Sequence, residues 1–325
     1  MTHTLSRRAL AASTLALALV PLGRAKAAPP SEIRVDWATY NPVSLVLRDQ
    51  KLLEKEFGPD KIGIRWVQSA GSNKALEFLN AGSLDFGSTA GAAALIGKIN
   101  GNPIKSIYIY SRPEWTALVT QKDSKIKTVA DLKGQRVAVT RGTDPHIFLV
   151  RALAEAGLSE KDVKLVLLQH PDGRTALERG DVQAWAGLDP MMAASEIESG
   201  ARLFYRKPEA NTWGVLNVRE AFAAENPDLV KRVLVIYEKA RMWAVANPNE
   251  LKAMMMAATR LSDPVIARQM ERTDLSSGKI GEVQAATIIE AGKALQAAGV
   301  LDASADVTAV TNQMIDPSFA RAAGA

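Results

Sequence analysis

Three short turns carry hydroxyl side chains, glycines and backbone amides in a pattern that suits the binding of a small anion. They are residues 69–73, 87–89 and 141–143, and each lies between a strand-like and a helix-like segment. The first turn of a helix has backbone N–H groups without partners and carries the positive end of the helix dipole. It can therefore hold a sulfonate, nitrate or carboxylate without direct contact from lysine or arginine. Hydroxyls at such positions also serve as ordinary helix caps, but three turns of this kind together favour a binding site.

The side chains needed for catalysis are few. Cysteine is absent, and only His146 and His170 follow residue 27. The sequence has no GxSxG, HExxH, GxGxxG or GxxxxGKS/T motif, so the patterns typical of serine hydrolases, zinc enzymes and nucleotide-binding proteins are missing. We therefore expect no catalytic residues, no metal site and no cofactor, and we expect a binding protein rather than an enzyme.

Residues 1–27 have the pattern of a cleaved export signal. Arg7 and Arg8 precede an uncharged, mostly apolar run from Ala9 to Leu22, and residues 25–27 have the small-x-small spacing of a signal-peptidase site. The run is shorter than the roughly 20 residues needed to cross a bilayer. The arginine pair also resembles a twin-arginine signal, and the general export route stays open. We expect an exported, freely soluble protein.

The exported part of the chain is almost neutral. The whole sequence has 40 basic and 35 acidic residues and a formal net charge of +5. Residues 1–27 contain four of the basic residues and no acidic residue, which leaves 36 basic against 35 acidic residues. A chain of this charge lacks the basic surface typical of proteins that bind nucleic acid or anionic lipid, so we expect neither as a partner.

Strand-like and helix-like segments alternate from residue 33 to about residue 200. The segment IRVDWATY, residues 33–40, alternates as a strand does, and the helix-like segment after it ends at Gly58 and Pro59. Asp144 as N-cap and Pro145 as first helical residue predict the start of a further helix. From about residue 219 the apolar spacing is almost entirely helical. The pattern predicts an α/β protein of two units, followed by a helical tail.

Five stretches, in this order, resemble the periplasmic solute-binding proteins of ABC importers, in the branch that binds aliphatic sulfonates, taurine and nitrate. They are LLEKEF, the AGSN loop with ALEFLNAGSLDFGST, KDSKIKTVADLKGQRVAV, RGTDPHIFLVRALAEAGL and ALERGDVQAWAGLDP. The resemblance extends over nearly all of the chain after residue 27. It implies a two-lobed periplasmic binding protein of type II, in which each lobe is a mostly parallel sheet flanked by helices, with a helical C-terminal tail.

The resemblance also implies how the chain is divided. Two crossing strands, near Leu118 to Gln121 and near Gly214 to Val218, would join the lobes. Residues 1–27 would be the signal peptide, 28–119 the first part of lobe 1, 120–216 lobe 2, and 217–325 the second part of lobe 1 with the C-terminal helices. A ligand would be enclosed between the lobes.

The expected ligand-binding residues come from the three turns and from the positions that match the family's pocket. They are Asn41, Ser69, Gly71, Ser72, Ser88, Thr89, Arg112, Trp115, Gly142, Thr143, Asp144, His146, Trp185, Asp189 and Trp213.

Several of these residues have a second interpretation. The three tryptophans, at 115, 185 and 213, either pack in the core or form walls of the cleft. Arg112 is either a solvated side chain or a bidentate clamp for an anion. Asp189, before Pro190, either caps the next helix or lines the pocket, as the matching WDP stretch of the family does. The resemblance places His146 at the cleft wall, where an ordinary first-turn residue is the alternative.

Two departures from the family pattern concern the ligand. Ala90, Gly91, Ala92 and Ala93 follow the GST turn where the sulfonate binders usually continue with Gly-Asp. Asp144 stands where those proteins commonly have serine. A carboxylate in an anion pocket is unfavourable unless it caps the helix or meets an ammonium group, and a zwitterion such as taurine would satisfy both ends of such a pocket.

The resemblance implies a monomeric protein of the periplasm. It would capture a small aliphatic sulfonate or a related organic anion and deliver it to an ABC permease in the inner membrane. Nitrate, a taurine-like zwitterion, a carboxylate or a thiamine precursor are the alternative ligands. An enzyme on the same scaffold and a sensor subunit that presents the ligand to a membrane receptor are the alternative functions.

Overall fold

The structure is a computed structural model that describes residues 29–324. The predicted export signal at residues 1–27 lies outside the described residues. In the described part of the chain, no helix is both long enough and apolar enough to cross a membrane.

The strands follow the predicted alternation with helices. In chain order they are β1 (Glu32–Trp37), β2 (Gly63–Gln68), β3 (Phe86–Ala90), β4 (Ile104–Pro113), β5 (Leu118–Thr120), β6 (Arg136–Val139), β7 (Lys164–Leu167), β8 (Ala184–Ala186), β9 (Arg202–Tyr205), β10 (Gly214–Arg219) and β11 (Thr273–Asp274).

The helices between and after these strands include the predicted C-terminal tail. In chain order they are α1 (Pro42–Asp49), α2 (Leu52–Phe57), α3 (Ser72–Asn80), α4 (Gly91–Ile99), α5 (Asp144–Glu155), α6 (His170–Arg179), α7 (Met191–Ser199), α8 (Glu220–Glu225), α9 (Pro227–Ala246), α10 (Pro248–Thr259), α11 (Asp263–Glu271), α12 (Glu282–Ala297), α13 (Val307–Met314) and α14 (Ser318–Ala323).

The strands form two mixed sheets, each with helices packed on it. The first has the order β11-β4-β10-β3-β1-β2, and the second has the order β7-β6-β8-β5-β9. Strand β1 is parallel to β2 and β3, whereas β10 is antiparallel to both of its neighbours. In the second sheet, β6 is parallel to β7 and β8, whereas β5 is antiparallel to β8 and β9. The prediction of two α/β units with a helical tail is confirmed. The sheets are mixed rather than mostly parallel in their pairings, because β10 and β11 run antiparallel to their neighbours in the first sheet and β5 does so in the second.

We call the first sheet with its helices the first lobe, and β5 to β9 with α5, α6 and α7 the second lobe. The chain passes between them through two segments, residues 114–117 and residues 206–213, which we call the crossing segments. Residues 114–117 lead into β5, which lies in the second sheet. Residues 206–213 lead into β10, which lies in the first sheet. The residue limits of the lobes given above stay a prediction.

Each lobe has a hydrophobic core, and Ile147 and Val150 of α5 continue the first-lobe core across the contact between the lobes. In the first lobe, the long helix α9 buries Val233, Leu234 and Tyr237 against the rest of the core. The edge-to-face pair Phe86–Phe222 joins β3 to α8 there. The core of the second lobe is built from side chains of β5, β6, β8 and α5.

A buried ion cluster joins three strands of the first sheet. Asp85, directly before β3, is fully buried. Its carboxylate accepts hydrogen bonds from the Arg34 side chain on β1, at 2.7 and 2.9 Å, and from Arg219 at the end of β10, at 2.7 Å. It also accepts from the backbone N–H of Arg34 at 2.9 Å. One carboxylate therefore fixes the ends of strands that are distant in the sequence.

We predict that Asp85→Ala lowers the free energy of unfolding by about 3 kcal/mol, because it leaves two guanidinium groups and a backbone N–H without their acceptor. Urea denaturation of the mature chain measures this. Asp49→Ala is the matched control, because Asp49 pairs with Arg48 in an exposed contact, which is worth less than about 1 kcal/mol. Equal effects of the two substitutions would show that the Asp85 cluster does not stabilise the sheet.

Candidate functional site

Three helices begin at the cleft between the lobes, and none has a side-chain cap. They are α3 from the first lobe and α5 and α6 from the second. In the described residues, none of their N-cap residues, Gly71, Thr143 and Gln169, accepts a hydrogen bond from the helix through its side chain. The hydroxyl of Thr143 instead donates to the carbonyl oxygen of Thr140 at 2.6 Å. The N–H groups of these first turns are therefore free of side-chain caps and suited to an anion.

A closed cavity lies where the lobes meet. It has a volume of about 210 Å³. Both lobes and the first crossing segment contribute side chains to it. The lining residues are Tyr40, Ser72, Trp115, Thr143, Asp144, Pro145, His170 and Leu188. The two lobes and the first crossing segment thus meet around one small space.

Asp144 holds both crossing segments at the start of α5. Its carboxylate accepts a hydrogen bond from Trp115 Nε1 at 2.8 Å. It accepts two more from Thr212, one from the backbone N–H at 3.1 Å and one from the hydroxyl at 2.7 Å. Burial raises the pKa of Asp144, and the hydrogen bonds from Trp115 and Thr212 oppose this rise. The buried carboxylate is therefore satisfied by the crossing segments.

The prediction that Asp144 is the N-cap of α5 is wrong by one residue. Thr143 has the extended N-cap conformation, and Asp144 is already the first residue of the helix. The aspartate instead uses its position to reach Trp115 and Thr212. The sequence could not show this, because Thr212 is 68 residues away along the chain.

Thr212 extends this contact to the first lobe. Its hydroxyl oxygen accepts a hydrogen bond at 3.2 Å from the backbone N–H of Ala92, in the first turn of α4. That turn belongs to the Ala90 to Ala93 segment, where the sequence lacks the polar side chain of the sulfonate binders. A continuous path of hydrogen bonds thus runs from α4 through Thr212 to Asp144.

Three of the expected binding residues use their polar groups within the first lobe. Asn41 Nδ2 donates to Ser88 Oγ at 2.7 Å, and Ser88 Oγ donates to Asp36 at 2.8 Å. Burial raises the pKa of Asp36 to about 6, and hydrogen bonds from the backbone N–H and the hydroxyl of Ser88 oppose this rise. Thr89 Oγ1 accepts from Asn217 at 2.8 Å.

These residues lie next to the cavity in the fold without lining it. Four of the expected residues do line it, namely Ser72, Trp115, Thr143 and Asp144. Ligand contact by the other expected residues stays a prediction. These residues are Asn41, Ser69, Gly71, Ser88, Thr89, Gly142, Arg112, His146, Trp185, Asp189 and Trp213.

The remaining expected residues have partners away from the cavity. His146 Nε2 lies 2.8 Å from Glu160 Oε1. Trp185 is fully buried in a core cluster of the second lobe. The Arg112 guanidinium lies over the Trp213 ring, 5.2 Å from its centroid. Among the described residues, none of these four lines the cavity.

Asp189 takes part in an ionic contact between the lobes. It accepts a hydrogen bond from the Ala193 N–H in the first turn of α7 at 2.8 Å. Arg272, from the end of α11 in the first lobe, places Nη1 3.4 Å from both carboxylate oxygens of Asp189 and also bonds Glu196. Burial raises the pKa of Asp189 to about 7, and the charge of Arg272 opposes this rise. Three buried or half-buried charged groups therefore join the closed lobes.

Several cavity residues were not expected from the sequence. Tyr40, Pro145, His170 and Leu188 line the cavity, and Thr212 supports it. A histidine followed by proline at the start of a helix, at the carboxyl end of a parallel strand, is a signal that could have identified His170. Tyr40 and Leu188 carry no such signal, because apolar and aromatic residues near strand ends are usually core residues.

The two lobes, the crossing segments and the closed cleft define a periplasmic binding protein fold. A family model described as NMT1/THI5 like matches residues 60–251, which is more than half of the chain. The chain therefore belongs to the NMT1/THI5-like family.

Individual relatives agree with this assignment. A relative from Escherichia coli (strain K12), whose name assigns it to aliphatic sulfonate binding, is 29% identical over 244 residues, 74% of this chain and 76% of the relative. The crystal structure of the periplasmic aliphatic sulphonate binding protein SsuA from Escherichia coli is 26% identical with a TM-score of 0.75, and the match covers 89% of this chain and 94% of that one. The alkanesulfonate-binding protein SsuA from Xanthomonas axonopodis pv. citri, bound to MOPS, shares the fold at 23% identity, with a TM-score of 0.80 and coverage of 90% and 100%.

We predict that Gly71→Ala weakens ligand binding, because the lobes approach too closely at this position for a side chain. A Cβ atom there would lie 2.9 Å from Asn73 Oδ1 and 3.1 Å from His170 Nε2, and His170 belongs to the opposite lobe. Overpacking of this kind raises the dissociation constant by at least about fivefold. Titration calorimetry measures the change. Gly63→Ala is the control, because its Cβ would make an ordinary contact of 3.6 Å; equal affinity of both variants would contradict the prediction.

A pair of substitutions at Asp144 separates its structural role from a charge interaction with the ligand. Asp144→Leu leaves the donors of Trp115 and Thr212 unsatisfied, so we expect the free energy of unfolding to fall by about 3 kcal/mol. Asp144→Asn keeps one acceptor and removes the charge, so we expect a loss of less than about 1 kcal/mol and an affinity within a few-fold of wild type. Loss of ligand binding in a stable Asp144→Asn protein would show that the carboxylate binds a cation of the ligand.

Proposed function

We propose that the chain is the periplasmic substrate-binding component of an ABC importer. It captures a small aliphatic sulfonate or a related organic anion between the first and the second lobe and delivers it to the permease in the inner membrane. The observation that carries the proposal is the convergence of three helix starts without side-chain caps on a closed cavity. The printed names of the relatives, which refer to sulfonate binding, support the same ligand class.

The proposed binding mechanism uses the backbone rather than cationic side chains. The sulfonate oxygens would accept hydrogen bonds from N–H groups of α3, α5 and α6, where the helix dipoles also favour negative charge. Among the described residues, no lysine or arginine lines the cavity. Binding through neutral donors leaves the anion less strongly held than an ion pair would, which suits capture followed by release.

Closure couples the two lobes through the ligand. The helix starts belong to opposite lobes, so the ligand contacts all of them only when the lobes are closed. A ligand that binds the closed form better shifts the population toward that form. The permease would then recognise the closed protein as the one that carries cargo.

The location and state of the protein follow from the sequence. The signal-like residues 1–27 would direct export to the periplasm, by the twin-arginine route or the general route. The absence of cysteine removes the site for a lipid anchor on a lipobox cysteine, and we propose a freely soluble monomer. The relatives reported above bear the names of binding proteins, and we propose a binding function without catalysis.

We predict that a small alkanesulfonate or aminoalkanesulfonate stabilises the mature protein against heat. A ligand present at 100 times its dissociation constant raises the free energy of unfolding by about 2.7 kcal/mol. A thermal-shift screen with sulfonates, nitrate, sulfate, carboxylates, amino acids and thiamine precursors measures this, and titration calorimetry then gives the affinity. Stabilisation by a compound from another class, with no effect of any sulfonate, would refute the proposed ligand class.

A further inference from the structure

The hydrogen bonds of His170 determine which of its ring nitrogens carries the proton. His170 is the first residue of α6, lines the cavity and is only 3% exposed. Its Nδ1 lies 3.2 Å from Thr140 Oγ1, and that hydroxyl donates its own hydrogen to the carbonyl oxygen of Leu168 at 2.7 Å. The Thr140 oxygen can therefore only accept from the ring, so Nδ1 carries the hydrogen and Nε2 presents a lone pair.

The lone pair of His170 has no donor. Nε2 is buried without a hydrogen-bond partner, and so is Asn73 Oδ1 on the first lobe. A Cβ atom at Gly71 would lie within 3.1 Å of both atoms, so the two acceptors from opposite lobes face the same small space. A buried acceptor without a donor costs about 1–3 kcal/mol. The closed cleft therefore lacks a hydrogen-bond donor at this point.

Protonation of His170 does not remove the unpaired acceptor, because the ring stays neutral at this site. Burial lowers the pKa of His170 to about 3. The positive end of the α6 dipole further disfavours an imidazolium ion. At neutral pH the ring is thus uncharged, and Nε2 accepts a hydrogen bond rather than donating one to an anion.

The Asp144 carboxylate is not available to accept a hydrogen bond from the ligand. Its two carboxylate oxygens already accept hydrogen bonds from Trp115 and Thr212. Buried polar atoms without a partner at the starts of α3 and α6 include Asn73 Oδ1, His170 Nε2 and Gln169 Oε1. Of these, Asn73 Oδ1 and His170 Nε2 meet at the contact between the lobes beside Gly71.

We infer that the ligand carries a hydrogen-bond donor, an ammonium, N–H or O–H group, that satisfies His170 Nε2 and Asn73 Oδ1. This inference rests on the proposed function, and it narrows the substrate class to small organic anions that bear a donor close to the anionic group. The helix starts hold the anionic end, and the two acceptors select the other end. A plain alkanesulfonate of the same size leaves both acceptors unpaired.

The test compares three ligands of nearly equal size by titration calorimetry on the mature protein. They are 2-aminoethanesulfonate, 2-hydroxyethanesulfonate and propane-1-sulfonate, which differ only in the terminal ammonium, hydroxyl or methyl group. We expect at least one donor-bearing ligand to bind about tenfold or more tightly than propane-1-sulfonate, because the methyl group leaves the buried acceptors unpaired. Equal affinities for the three would overturn the inference and leave the proposed function standing. Binding of none of the three would refute both.

Substitutions at position 170 assign the preference to this side chain. His170→Phe keeps a ring of similar size without an acceptor, so the preference for a donor-bearing ligand should fall to about twofold or less, and propane-1-sulfonate should still bind. His170→Gln places an amide oxygen in a similar position and should retain most of the preference. Asp172→Asn, on the exposed side of the same helix turn, is the control and should leave the preference unchanged. An undiminished preference in a folded His170→Phe protein, which still binds propane-1-sulfonate, would overturn the assignment.

Discussion

The closed arrangement of this protein depends on one buried carboxylate. Asp144 accepts hydrogen bonds from both crossing segments, through Trp115 and Thr212. Thr212 continues the contact to the start of α4 in the first lobe, and Trp115 is also part of the cavity wall. Trp115 and Asp144 therefore both hold the crossing segments and border the cavity. Trp115 is thus the side chain that joins the first crossing segment to the wall of the cavity.

The cleft combines donors and acceptors without a free charge in the cavity wall. Backbone N–H groups at three helix starts offer donors to an anion, and the side chains of Asn73 and His170, in the first turns of α3 and α6, offer acceptors beside them. Such a division selects ligands by the positions of their polar groups rather than by net charge. The ionic contact of Arg272 with Asp189 and Glu196 joins the lobes outside the cavity, so attraction between the lobes is separated from recognition of the ligand.

The sequence predicted the architecture because that depends on local patterns. Alternating strands, glycine and proline stops, and the helical tail are all encoded within short segments. The turns at residues 69–73 and 141–143 do begin α3 and α5. The partners of polar side chains could not be predicted, because they are distant in sequence: Asp144 is 68 residues from Thr212, and Ser88 is 52 residues from Asp36. The position of Trp185 in the core could not be predicted either, because the alternation of residues along a strand does not show which of its faces packs in the core and which faces the cleft.

Strand β10 lies between β3 and β4 in the first sheet, although it follows the whole second lobe in the chain. The strands of the second sheet all lie between residues 118 and 205, so the sequence of that sheet is complete before the last strands of the first sheet have been synthesised. The first sheet lacks its central strand until residues 214–219 arrive, and Asp144 lacks Thr212 until nearly the same moment. The chain order therefore allows the inserted lobe to complete its sheet before the lobe that receives it.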